Sequence, residues 1–128
     1  MKKTILLTGA TGFIGVYVLN KLLERGFKVK ALRRDRKLKK QKLSNKLIWI
    51  KKDYLDLKSE DFLDIDLIIH LAAHSANTPY DNLINCLEYN LMQPLKMLEQ
   101  SRIGGVNKFL IIGSCFEYGE SGINYDFI

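Results

Sequence analysis

The chain has 128 residues and no apolar run near the ~20 residues that a membrane-spanning helix requires. No secretory leader is expected in its opening residues. The opening Thr4-Ile5-Leu6-Leu7 is apolar but stops at Gly9, too early for the core of a signal peptide. Cysteine is scarce. Cys86 and Cys115 are far apart and have no CxxC spacing, which argues against a disulfide framework and against a zinc site. A reducing cytoplasm is the expected compartment. His70 and His74 are the only histidines. Their spacing would suit a metal on a helix, but they flank the end of a strand-like segment, so no metal site is expected.

Acid is missing from one stretch. Residues Lys28 to Lys52 hold twelve of the twenty Lys and Arg and a single acid, Asp35. Such a patch could meet nucleic acid. Trp49 is its only aromatic residue, so it lacks the stacking platform of a single-strand binder. A solvated loop with an anion-binding edge is the expected role, with no nucleic-acid partner and no membrane.

Short apolar runs alternate with helical patterns. Thr4-Ile5-Leu6-Leu7, Phe27 to Leu32, Leu47 to Ile50, Leu67 to Leu71 and Phe109 to Ile112 read as strands. Between them, Ile14, Val18, Leu19, Leu22 and Leu23 share one helical face, with Gly26 as the stop. Tyr80 to Arg102 carries leucines at three- and four-residue steps and is interrupted by Pro94. Arg33 to Lys46 reads as a loop or a frayed helix. The alternation predicts one α/β domain over residues 1–128, a parallel sheet of about five strands with helices on both faces.

The first strand-to-helix turn carries the chemistry. Gly9-Ala10-Thr11-Gly12-Phe13-Ile14-Gly15 places three glycines at spacing three. One permits a tight turn, one lets the backbone approach a pyrophosphate, and one lets helix and strand pack closely. The helix N-terminus then offers free N–H groups to phosphate. Preceded by Thr8, this form resembles the short-chain dehydrogenase/reductase superfamily, specifically its extended branch of nucleotide-sugar epimerases, dehydratases and 4-keto reductases. The resemblance covers the whole chain. It implies a Rossmann-type sheet of order 3-2-1-4-5, NAD(P) as cofactor, a nucleotide-sugar substrate, and a place in nucleotide-sugar metabolism and polysaccharide biosynthesis. Gly9, Thr11, Gly12, Phe13, Ile14 and Gly15 would hold the cofactor.

Four further stations match that branch. After the second strand, where an acid would bind the ribose of NAD, the chain has Arg33-Arg34. Guanidinium suits a 2′-phosphate, so NADP is favoured over NAD, with Asp35 reaching the ribose if the register shifts. Arg33 and Arg34 could equally just begin the basic loop. Asp53 and Tyr54 would sit by the adenine, with helix capping as the rival role for Asp53. His70-Leu71-Ala72-Ala73 resembles the small-residue turn beneath the nicotinamide ribose, where Leu71, Ala72 and Ala73 would contact cofactor. His74, Ser75 and Ala76 would begin the substrate side, and His70 reads as a core histidine. Ser114 takes the position of the family serine or threonine that orients the reacting oxygen, and is the expected catalytic residue. Asn90 matches a family asparagine that fixes the active-site backbone.

Departures sharpen the reading. Cys115-Phe116 stands where the 4,6-dehydratases carry Asp-Glu, which points to an epimerase or 4-keto-sugar reductase. The family's Tyr-x-x-x-Lys pair would follow on a later helix, together with a sixth strand and the substrate lobe. The chain reaches Ile128 first. It is expected to be the N-terminal half, inactive alone, with its fifth strand an open edge inviting homodimer formation. Tyr54 and Lys58 share that spacing but fall on the adenine side, so they read as a decoy. A non-catalytic module sensing NADP or binding a partner is the alternative. Ser114 together with Asn90 weighs against it.

Overall fold

The computed structural model describes residues 3–33, 44–114 and 119. Five parallel strands form the sheet: β1 (Thr4–Thr8), β2 (Lys28–Leu32), β3 (Leu47–Ile50), β4 (Leu67–His70) and β5 (Phe109–Ile111). Their order is β3-β2-β1-β4-β5, as the motif pattern implied. Helix α1 (Phe13–Glu24) follows β1. Single 3₁₀ turns at Tyr54–Asp56 and Ser59–Phe62 bridge β3 to β4. Between β4 and β5 run α2 (Leu83–Leu87), a π-turn (Glu88–Met92) and α3 (Gln93–Ile103).

The apolar strands divide their side chains between two cores because successive residues face opposite ways. Ile5 and Leu7 of β1 join Val29, Ala31 and Ile69 beneath α1, where Leu19 is fully buried. Leu6 points to the other face. There it meets Leu32, Ile68, Phe62 and Met97, under the 3₁₀ turns and α3. A strand buried on both faces has no polar positions, which explains the unbroken run from Ile5 to Leu7. Strand β5 departs from this pattern. Among the described residues its only sheet neighbour is β4, and Phe109, Leu110 and Ile111 are all exposed.

The long helix expected from Tyr80 to Arg102 is two α-helices joined by the π-turn. Residues 71–82 form a loop instead, and the helix begins at Asn82, whose side chain accepts from Asn85 N at 2.9 Å. Pro94, just after the π-turn, sits in the first turn of α3, where its missing N–H is tolerated.

Two contacts pin the ends of β1 and β4 together. Thr8 Oγ1 accepts from Leu71 N and Ala72 N, each at 3.2 Å. Its one proton therefore goes to His70 Nδ1, 2.8 Å away. His70 is 5% exposed. Burial pushes its pKa below the ordinary value of 6.5, in keeping with a neutral ring that accepts at Nδ1.

The glycine turn packs just as tightly. A Cβ on Gly15 would lie 2.0 Å from Gly9 O, and one on Gly9 would lie 2.7 Å from Ala72 N. Gly9 also has φ of +67°, which disfavours other residues. Gly15→Ala should destabilise the chain by about 1–3 kcal/mol through overpacking against backbone, read as a lower urea midpoint. A second expectation concerns pH. The unfolded chain protonates His70 near 6.5 and the folded chain only below that. The stabilisation from His70 is thus intact above about 6.5, falls as pH drops below it, and levels off once the folded ring protonates. His70→Gln should flatten the dependence of the urea midpoint on pH between about 7.5 and 5.5.

Candidate active site

A cleft of about 600 Å³ opens at the carboxyl ends of the strands. That is where open parallel sheets bind ligands, at the point where strand order reverses, here between β1 and β4. Its floor is the turn from Gly9 to Gly15. The cleft runs from Leu32, Arg33 and Asp53 at the ends of β2 and β3, across the turn, to Ala72, Ala73 and His74 after β4 and to Gly113 after β5.

The turn is built for an anion. Gly12 is the N-cap of α1, and no side chain caps the helix. No acidic residue occupies the first turn. The helix N-terminus therefore keeps its partial positive charge for a ligand. A Cβ on Gly12 would meet only Gly9 O, at 3.2 Å. Gly12 thus leaves space that a side chain would fill, whereas Gly9 and Gly15 are needed for packing. Phe13 and Ile14 are exposed and line the cleft beside it.

Arg33 lies at the β2 end. Its backbone N–H donates to Ile50 O at 3.0 Å, which fixes it beside β3. Its Nε is buried with no partner among the described residues. Arg34 and Asp35 lie outside the described residues. Lys52 also lines this end and is held by Asp61 through contacts of 2.9 Å. Burial raises the pKa of Asp61, but hydrogen bonds from Lys58 N and Lys52 outweigh it and leave the carboxyl below its ordinary value. Asp53 does cap the 3₁₀ turn, although its bond from Leu55 N is long at 3.4 Å.

Tyr54, which lines the cleft, also braces neighbouring elements. Its ring stands edge-on to His70, centroids 5.6 Å apart. Its hydroxyl donates to Tyr89 O at 2.8 Å. The reason is legible in the backbone. In an α-helix Tyr89 O would accept from Gln93 N, but that N–H donates to Glu88 O in the π-turn. The next candidate is Pro94, which has no N–H. Tyr54 satisfies the carbonyl that the π-turn and Pro94 leave open. The Tyr54 phenol thus donates to a backbone carbonyl.

At the β4 end, the side chain of Asn90 in the π-turn clamps the backbone of His74. Oδ1 accepts from His74 N at 2.7 Å and Nδ2 donates to His74 O at 3.0 Å. Asn90 reaches the cleft only through His74 and is not among its lining residues. His74 Nε2 lies 2.8 Å from Asp81 Oδ2. Hydrogen bonds from His74, Asn82 N and Asn85 hold the Asp81 carboxyl below its ordinary pKa. Ser114 is exposed just past Gly113, which lines the cleft. Cys115 and Phe116 lie outside the described residues.

The structure gathers Gly9, Thr11, Gly12, Phe13, Ile14, Gly15, Arg33, Asp53, Tyr54, Leu71, Ala72 and Ala73 around one cleft. Sequence reasoning missed Lys52, Tyr89 and Gln93 as lining residues. Lys52 directly precedes Asp53, so its place was available. Tyr89 and Gln93 depend on the π-turn, which no residue pattern announced. No group of three or more His, Cys, Asp or Glu able to hold a metal occurs among the described residues. No helix among them is long and apolar enough to cross a membrane.

Known proteins share this arrangement. The model of the NAD dependent epimerase/dehydratase family matches residues 5–126. CDP-abequose synthase of Salmonella typhimurium is 33% identical over 103 residues, covering 77% of this chain and 34% of that protein. MoeE5, solved in complex with UDP-glucose and NAD, superposes with a TM-score of 0.76 at 29% identity, covering 91% of this chain and 38% of that one. UDP-glucuronic acid 4-epimerase from Bacillus cereus, solved in complex with NAD, gives a TM-score of 0.74 at 27% identity, over 91% of this chain and 41% of that one. The chain thus spans about a third of the length of the curated relative and two fifths of the solved ones. With the family match covering nearly all of its residues and the sheet order in agreement, the chain belongs to the NAD dependent epimerase/dehydratase family.

Proposed function

We propose that the chain is the dinucleotide-binding half of an NADP-dependent nucleotide-sugar epimerase or 4-keto-sugar reductase, acting at C4 of the sugar. The carrying observation is the uncapped N-terminus of α1 over Gly12, where a Cβ would project into otherwise open space. The residues fit a dinucleotide along their whole length. The pyrophosphate belongs on the turn from Gly9 to Gly15. Asp53 keeps a carboxylate oxygen for the adenine amino group. Leu71, Ala72 and Ala73 offer a small-residue surface for the nicotinamide ribose.

Arg33 supports NADP within this reading. Arg33 lines the cleft at this end, and a guanidinium is suited to pair with a 2′-phosphate. The solved relatives named above hold NAD, so the Arg33 end is where this chain would differ. When bound, the nicotinamide supplies or takes up the hydride. The protein's share is to exclude water, to hold the pyrophosphate against α1, and to orient the reacting sugar oxygen at Ser114. Asn90 serves as a positioning residue through the backbone of His74.

Calorimetric titration tests this directly. NADPH is expected to bind the 128-residue chain about tenfold or more tighter than NADH, since a charge-assisted hydrogen bond contributes roughly 1.5–3 kcal/mol. Arg33→Ala should remove that preference and leave NADH affinity unchanged. Gly12→Val should abolish binding of both at a cost to folding of about 1 kcal/mol, because valine is a poorer N-cap than glycine, with a cooperative urea transition showing that the chain still folds. Tighter binding of NADH by the unaltered chain would overturn the assignment to Arg33. Failure of the folded chain to bind either nucleotide would overturn the site.

A further inference from the structure

One polar side chain on the wall of the cleft is out of keeping with its surroundings. The buried face of α3 carries Gln93, Pro94, Met97 and Ser101. Met97 lies in the core with Leu57 and Phe62, and Tyr54 packs beside them. Ser101 is fully buried, and its hydroxyl donates to Leu98 O at 2.7 Å. Gln93 stands at the other end of this face, where α3 meets the cleft, and is 7% exposed. A leucine would continue the apolar face at this position. Glutamine brings an amide to the cleft instead.

That amide is only half used. Nε2 donates to Glu88 Oε1 at 3.3 Å, whereas Oε1 has no partner among the described residues. The oxygen still meets solvent, unlike the enclosed Arg33 Nε. An amide has a donor end and an acceptor end of nearly the same shape. Glu88 holds the donor end, so the acceptor end is the one left over. The neighbouring wall is the turn Tyr54–Asp56, on which α3 packs. Tyr54 Oη donates to Tyr89 O, one turn before Gln93. Asp53, which caps that turn, lines the same cleft. Two acceptors thus come to the cleft from adjoining elements, the Asp53 carboxylate and the Gln93 amide oxygen.

We propose that Gln93 Oε1 accepts one hydrogen of the exocyclic amino group of adenine, that Asp53 takes the other, and that Glu88 is the positioning residue for the Gln93 amide. This rests on the dinucleotide reading above, which brings the adenine to Asp53. An exocyclic amine has two N–H groups for the two acceptors. A hydroxyl has one proton, and a purine carbonyl in that place has none. The pair therefore selects adenine over a 6-oxo purine, because the wrong base leaves both acceptors facing an oxygen.

Calorimetry with two dinucleotides tests this: NADPH and its hypoxanthine counterpart, in which a carbonyl oxygen replaces the amino group. The unaltered chain should bind NADPH about tenfold or more tighter. Gln93→Leu should weaken NADPH about fivefold and leave the hypoxanthine dinucleotide within about twofold. A role in packing alone would weaken both alike. Gln93→Met, unbranched like glutamine, should give the same result where leucine disturbs the contacts of Pro94 and Met97. A cooperative urea transition shows that each variant folds. Glu88→Ala frees the amide to turn its donor end to the cleft, so it should narrow the preference for NADPH several-fold. Equal losses for the two dinucleotides in both Gln93 variants would overturn the proposal. So would unchanged NADPH affinity in those variants, or equal binding of the two dinucleotides by the unaltered chain. Each of these results leaves the cofactor site standing. Binding of neither dinucleotide by the unaltered, folded chain would instead bring down the cofactor reading and this inference with it.

Discussion

Everything in the site depends on how closely the backbone of the glycine turn meets the backbone that follows β4. Gly9 leaves no room for a Cβ against Leu71 and Ala72, and Gly15 leaves none against Gly9. Three stretches of main chain are thus stacked without side chains between them. That stacking draws the N-terminus of α1 over the sheet's switch point and lowers the floor of the cleft. Thr8 locks the same junction with one hydroxyl, which accepts from two N–H groups of the β4 turn and donates to His70. The junction contains no charge. Burial of His70 as a neutral ring is what lets the two strand ends close without an unpaired ion.

A second constraint comes from the other side of the sheet. Pro94 is buried in α3, and the π-turn before it leaves Tyr89 O without a helical partner. Tyr54, arriving from β3, closes it. The same π-turn directs Asn90 and Tyr89 toward His74. One irregularity in a helix therefore connects the two ends of the cleft, the Asp53–Tyr54 end and the His74 end. π-turns recur at functional sites for this reason: the extra residue re-aims side chains that a regular helix would carry elsewhere.

Much of this was legible in the residues. The five strands follow from period, and the sheet order follows from the family resemblance that the strand–turn–helix motif carries. Period is a local feature, and the crossover rule limits how such local elements can be joined. The long helix was read as continuous with a break at Pro94, whereas the irregularity lies before the proline. The carbonyl it leaves open is met by a contact from 35 residues away, from Tyr54 to Tyr89. No periodicity encodes such a contact. The exposure of β5 was also hidden by composition, because Phe109, Leu110 and Ile111 are as apolar as the buried strands. An apolar run marks a strand, but not what covers it.

Tyr54 and Lys58 show the same lesson from the opposite direction. They reproduce the spacing of a catalytic pair, and spacing alone cannot distinguish them from one. Position in the sheet does. Tyr54 follows β3, its hydroxyl proton goes to a backbone carbonyl, and its ring lies edge-on to a buried neutral histidine. A phenol that serves as general acid or base must keep its proton available to a substrate. Here the proton is already placed, and withdrawing it would reopen the carbonyl at Tyr89. His74 is the contrasting case. It belongs to no recognised spacing, yet its ring is tied to Asp81 at Nε2 and its backbone to the Asn90 amide. In this cleft, what a side chain has left to offer after the fold has used it is a better guide to chemistry than the motif in which it appears.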